Sequence, residues 1–561
     1  METLHKLDQY DDAIGLKLAI EQVNQWYSAG KHSTAWQLDP IVLEMPNSWK
    51  ALPSLSDPEQ VTFDPSYDGE FLREAVWLGM ISKLIAETAP PEPIGIRAPP
   101  AERKTTPLLS MTNASDPPEL QLAERIFDWT IRNIQLEAPE WTESAPLELP
   151  RNWHSPWETV LLGRGTASDR AWLFMLLARQ QGLNVVMLSL GDPAKPDELV
   201  DWIPALLLSS GEGDNKRTEF YLFDPALGLP IPAPRVVDGK PTDALQIATL
   251  SQVVADEKLL RQLDAGGKKY PVTADDLKSV TVRVEASPGY LSKRMKVLES
   301  QLAGSNRVIL SSSPTELEKS LPAAEYLSKK VGVWPRPYET LTLRAAADAD
   351  TVKRFEQQML AYNNPLLKKE LVEGDKNDRI TRHREDPESG GQSRRQTRQR
   401  HPLRVGRMMQ VIGRNDQDQG AIRYLQEAQV SEAEQAELAA RVPIELLRAL
   451  SGSNHAATFW LGQVKAAEGA KAAHDATDSQ QQGNQAAADE QRKIAERETT
   501  AALNYFDKFE HNLWRGAATY NLGRLYEVLG NNTKAIEVYR LDESPQRQGN
   551  LLRARQLERL K

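Results

Sequence analysis

The sequence predicts a multidomain α+β protein, with an α+β core set between a predominantly helical N-terminal region and a C-terminal array of α-helical repeats. Three observations predict it. At 561 residues the chain is longer than one hydrophobic core normally supports. A strongly apolar helical pattern is followed at once by short β-branched runs, which is how a helix packed on a small antiparallel sheet reads. The last part of the chain repeats its own glycine, alanine and aromatic positions at a fixed interval.

Residues 1–115 read as a mainly helical region with a linker. Pro40, Pro46, Pro53, Pro58 and Pro65 break up short helical patterns, and a longer helix is expected over Phe71–Ile85. From Pro90 to Pro118, proline, threonine and serine without periodicity mark the linker. Residues 116–235 carry the α+β pattern. A helix over Glu119–Gln135 returns Leu122, Ile126, Phe127, Thr130 and Ile134 to one face. Pro146–Trp157 reads as an irregular connection, and a second helix over Asp169–Gln181 is closed by Gly182. Strands are expected at Leu183–Leu190, Trp202–Leu208 and Glu219–Phe223, the last two joined by a turn over 210–215.

Residues 236–373 mix helical patterns near Leu245–Leu263 and Tyr290–Leu302 with strands at Val280–Glu285 and Arg307–Ser311, and suggest no fold by themselves. Residues 374–402 hold Arg379, Arg382, Arg384, Arg394, Arg395, Arg398 and Arg400 among serine, glutamine, glycine and proline, which reads as a disordered basic linker. The alternative for Arg394–Arg407 is a patch that pairs with phosphates or acidic partners.

Residues 403–561 repeat. Leu461-Gly462 with Gly469 recurs as Leu522-Gly523 with Gly530, and Ala502 with Phe506 recurs as Ala535 with Tyr539. Ala502 to Ala535 is 33 residues and Gly462 to Gly523 is 61, so the first unit carries an insertion of 28 (61 minus 33), near 470–497. A weaker third copy is Gly406, Gly413, Ala421 and Leu425. Such units resemble tetratricopeptide helix pairs, with Tyr526 at that motif's aromatic position. Small residues are needed where two helices approach closely. Lys465 in place of the aromatic and a period one short of the usual 34 depart from the motif.

Composition excludes much chemistry. With no cysteine, disulfides, thiolate catalysis and cysteine-ligated metals are ruled out. A net charge of -10 makes nucleic acid a poor partner. The eight histidines are scattered without metal-ligand spacing, no phosphate-binding glycine loop occurs, and no cofactor or metal is expected. No apolar run approaches a membrane span, and the segment after Met1 lacks the form of a signal peptide. Cytoplasmic location is expected if Met1 is the true start, and the cell envelope or periplasm if a leader precedes it.

Gly165-Thr166-Ala167-Ser168-Asp169-Arg170-Ala171, followed by Leu173-Phe174, Leu176-Leu177 and Gly182, resembles the nucleophile helix of the transglutaminase-like (papain-like) superfamily. The resemblance covers about residues 119–230 and extends to Asp128–Ile134, the strand after Gly182 and Phe223-Asp224-Pro225. It implies a thiolate at the helix start, a histidine on a following strand and an Asp that orients it. Here the cysteine position holds Ala167, the histidine position falls near Val200, and only Asp224 matches. No histidine lies between His154 and His383, so Thr166 or Ser168 has no base to activate it and reads as a helix cap.

The resemblance therefore implies an inactive domain whose cleft still binds an extended polypeptide, with Ser168, Arg170, Trp172, Trp202 and Tyr221 as cleft-lining candidates. Trp172 and Trp202 equally suit a core. Together the parts resemble large bacterial proteins that join such a domain to tetratricopeptide-like repeats. The expected function is non-catalytic binding or scaffolding of protein or peptide partners. Two alternatives stay open: a hydrolase or transferase using Asp169, Asp201 and Asp224, and a structural component of the cell envelope.

Overall fold

In a computed structural model the chain is described throughout, except residues 8–11, 31, 33, 89–109, 138–153, 193, 196–197, 211–216, 238–239, 364–368, 371–398, 510–512 and 560–561. The expected linkers over 90–118 and 374–402 and the expected turn over 210–215 lie largely outside the described residues.

The strands are β1 (Val185–Leu190), β2 (Val200–Ser210), β3 (Arg217–Asp224), β4 (Leu229–Pro230), β5 (Pro232–Val237), β6 (Lys240–Ile247), β7 (Val280–Val284) and β8 (Gly332–Val333). Six of them form one mixed sheet in the order β8-β7-β1-β2-β3-β4, and β5 and β6 make a separate hairpin. Within this six-stranded sheet only the β7–β8 pair is parallel. β7 is buried along its whole length and β1 nearly so, as expected of central strands covered on both faces.

Helices α1 (Asp12–Ala29), α2 (Asp68–Glu87), α3 (Pro118–Asn133), α4 (Pro156–Leu162) and α5 (Ala167–Gln180) pack around this sheet. α5 starts at a capping box in which Thr166 and Asp169 satisfy each other's backbone N–H groups, and α4 starts at the same device built from Ser155 and Glu158. Phe127, Phe174 and Phe223 join α3, α5 and β3, with ring centroids 5.0–5.3 Å apart. The Ser82 hydroxyl donates to the Leu177 carbonyl and ties α2 to α5.

Further on come α6 (Leu250–Ala255), α7 (Lys293–Glu299), α8 (Arg336–Ala345) and α9 (Ala349–Met359). The C-terminal part is a stack of helix pairs: α10 (Pro402–Val411) with α11 (Ala421–Glu427), α12 (Ile444–Gln481) with α13 (Gln485–Phe506), and α14 (Arg515–Val528) with α15 (Asn532–Arg540), closed by α16 (Arg547–Arg559). In each pair one glycine lets the helices meet. A Cβ on Gly406 would lie 2.8 Å from Leu425, one on Gly462 2.8 Å from Phe506, and one on Gly523 2.3 Å from Tyr539. Ala502 and Ala535 are buried one turn before these aromatics. Tyr526 is half-buried, with the Lys534 ammonium 5.4 Å from its ring.

The insertion of the first unit lengthens both helices of its pair, so that α12 runs 38 residues, about 57 Å at 1.5 Å per residue. Gly469 and Gly530 consequently differ in role. Gly530 ends a helix with φ 70°, whereas Gly469 sits inside α12 against Thr499.

Several expectations are corrected. Leu245–Ile247 belongs to β6, and helix begins only at Leu250, after a capping box of Thr249 and Gln252. Arg307–Ser311 is extended but joins no sheet, because its backbone is held by side chains: Ile309 by Gln180, and Leu310 and Ser311 by Glu299. Tyr290–Leu302 divides into a 3₁₀ turn and α7. Trp157 lies inside α4 rather than in an irregular connection. β7 and β8, both beyond residue 235, complete the sheet, and a single core cluster spans α2, the sheet and the helix stack. No helix among the described residues is long and apolar enough to cross a membrane.

Candidate functional site

Ala167, Val200 and Asp224 sit at the start of α5, the start of β2 and the end of β3. α5 ends close to where β1 begins, and β2 runs antiparallel to β1, so the start of α5 lies toward the end of the sheet where β2 begins and β3 ends. Side-chain contacts tie the three neighbourhoods. The Arg170 guanidinium donates to the carbonyl of Pro225, next to Asp224, at 2.9 Å. Arg336 reaches Asp169 at 2.7 Å, and two residues earlier the Trp334 indole donates to Asp201 at 2.7 Å. The short segment Trp334–Arg336 thus links the first turn of α5 to the first residues of β2, and the Trp334 ring meets Trp172 edge to face at 6.1 Å. Trp334 is fully buried.

Where the resemblance implies an imidazole on Asp224, the structure places a phenol. Asp224 accepts from the Tyr270 hydroxyl at 2.7 Å and from the backbone N–H groups of Ala226 and Leu227 at 2.8 and 2.9 Å. The Tyr270 oxygen in turn accepts from the Trp202 indole at 2.9 Å. Burial raises the Asp224 carboxyl above its ordinary range against these hydrogen bonds, and burial with the neighbouring carboxylate pushes the Tyr270 phenol far up. Val200 itself is 68% exposed and points no polar group at either partner.

The cleft-lining candidates divide. Arg170 and Trp172 are interior residues: Arg170 donates to Ile134, Pro225 and Gln546, and Trp172 to Glu285. Desolvation lowers the Arg170 guanidinium to about 9. Their polar tips face buried carbonyls, the Gln546 side chain and the buried Glu285 carboxylate. Trp202 and Tyr221 are half-buried, Trp202 held by Tyr270 and Tyr221 paired across β2 with Leu206. Ser168 is half-buried, and no hydrogen bond joins its hydroxyl to a base among the described residues.

The three carboxylates of the alternative reading have separate partners. Asp169 takes Thr166 and Arg336, Asp201 takes Ser189, Arg283 and Trp334, and Asp224 takes Tyr270 and two backbone groups. None of them shares a donor with another. A cavity at the opposite end of β3, about 400 Å³ and open, is lined by Arg217, Thr218, Glu219 and Lys319–Ala323 and contains none of these residues. Among the described residues no group of three histidine, aspartate or glutamate side chains is placed to hold a metal.

Tyr270, Trp334 and Arg336 escaped sequence reasoning. They lie in the stretch to which no fold was assigned, and each acts through a contact more than 40 residues away along the chain. No family model matches the chain, and neither a curated protein nor a solved structure does.

Proposed function

We propose that this chain is a non-catalytic binding or scaffolding protein, in which a transglutaminase-like cleft has been rebuilt as a structural junction and a tetratricopeptide-like stack provides surface for polypeptide partners. One observation carries the reading: an alanine stands where a nucleophile would begin α5, and the residues that would serve it are spent on holding the fold together, Asp224 by Tyr270 and Asp169 by Arg336. A nucleophile needs a base within hydrogen-bond reach.

The full-length chain is tested in two ways. Incubation with peptide amides and amine acceptors is expected to give no turnover. Cross-linking in native extract is expected to recover a protein partner in near-stoichiometric amount, equally with wild type and with an Asp224→Asn variant. Turnover abolished by Asp169→Asn, Asp201→Asn or Asp224→Asn would establish the carboxylate enzyme instead.

A further inference from the structure

The last turn of α3 ends in carbonyls that no helical N–H can reach, and the negative end of the helix dipole lies there. Side chains from three helices of the C-terminal stack converge on it. Gln463 of α12 and Asn521 of α14 both donate to the Arg132 carbonyl, at 2.9 and 3.1 Å. Arg407 of α10 reaches the side-chain and main-chain oxygens of Asn133 at 3.2 and 3.4 Å. One turn earlier, Arg524 of α14 pairs with Asp128 at 3.0 Å. Arg407, Gln463, Asn521 and Arg524 are all buried. Two amide donors and two guanidinium groups on one face therefore match a helix C-terminus that carries a carboxylate a turn before its end.

The connection between the two parts is not needed to bring them together. Asn363, before the intervening segment, lies 3.3 Å from Arg404, after it. A span of about 40 residues joins points that already touch.

We propose that this inner face of the stack is a docking surface for a helix C-terminus, and that the C-terminal turn of α3 is its resident ligand. The stack thus recognises the rest of the chain as a partner, and external polypeptides meet the stack on its other surfaces. The location of partner binding rests on the scaffolding reading, whereas the internal recognition stands without it.

The experiment uses the full chain with a protease recognition sequence inserted between Gly390 and Gly391. After cleavage the two pieces are expected to co-elute on size exclusion and to separate only in denaturant. Asp128→Arg, which sets a like charge against Arg524, is expected to let the cleaved pieces separate while the uncleaved variant keeps its helical signal. Asn521→Ala, which removes one carbonyl donor, is the second variant and is expected to raise the dissociation constant of the pieces at least about 10-fold, the effect of roughly one good hydrogen bond. Separation or precipitation of the cleaved wild type overturns the proposal, as does co-elution untouched by both variants. An external partner lost on Asn521→Ala while the pieces stay together would show that the face serves partners outside the chain; loss of every external partner with intact co-elution would strike the scaffolding reading alone.

Discussion

At the scale of single residues, buried polar groups carry the argument. Asp224, Tyr270 and Trp202 form a chain in which each buried polar atom has a partner, so the constellation is saturated and stiff. Glu74 is a different case. Its carboxylate accepts from the Trp157 N–H at 3.1 Å at the start of α4, and Arg73 stabilises it, but burial together with Glu285 and Glu158 pushes its pKa up from 4.5 to about 8. A carboxyl whose folded pKa is raised binds its proton more tightly when folded, so stability falls as pH rises between about 4.5 and 8. Glu74→Gln is expected to match wild type in chemical denaturation at pH 4.5 and to be the more stable at pH 8.5. A difference independent of pH would show that Glu74 is solvated. Asp224 was legible in the sequence because an Asp-Pro after a short strand has a recognisable context, while Tyr270 was not, since nothing local marks a tyrosine that will meet it from 46 residues away.

At the scale of elements, α8 acts as a strap across two helix starts. Arg336 and Arg344, two turns apart on one side of α8, bond Asp169 and Glu158, the capping-box acids of α5 and α4. Each acid therefore serves its own helix and α8 together. Removing one partner of a buried ion pair typically costs about 3–5 kcal/mol, and Arg336 remains slightly exposed, so Arg336→Ala is expected to lower stability by about 3 kcal/mol and to speed amide exchange in the first turn of α5. Unchanged exchange there would mean that the strap holds without its ion pair.

In the stack, Gly523→Ala would drive a methyl to 2.3 Å from the ring of Tyr539, a side chain with no room to retreat, and a loss of about 1–3 kcal/mol is expected on thermal unfolding. Gly182→Ala, where no atom stands within 4 Å, tests the other effect of glycine, its φ of 76°, and about 1 kcal/mol is expected. Helices α2, α3 and α5, the strands β1, β2, β3 and β7 and the close helix approach at the repeated glycines were readable because periodicity and small-residue spacing are local signals. The start of the helix near Leu245 was misread because a short apolar run fits helix and strand alike and the hairpin with β5 decided it, whereas Arg307–Ser311 was misread because Gln180 and Glu299 from distant positions take the hydrogen bonds a neighbouring strand would have taken.

At the scale of the whole molecule, residues of α2, the sheet and the helix stack share one core. The turn after β3 is where the parts meet: Pro225 accepts from Arg170 of α5, Leu227 from Gln546 at the head of α16, and a Cβ on Gly549 would fall 1.7 Å from the Leu227 carbonyl. This junction could not be read from sequence, because its contacts join groups far apart along the chain. It also gives the decisive difference between the two readings of the site. Functional sites hold strained or badly paired groups, so removing them commonly stabilises a protein, whereas a structural junction loses stability when its bonds are cut. The most direct measurement is equilibrium unfolding of Tyr270→Phe, which deletes one oxygen and leaves Asp224 and Trp202 without their shared partner. A loss of about 2 kcal/mol is predicted for a junction; a variant as stable as wild type, or more stable, would contradict the account and return the site to chemistry.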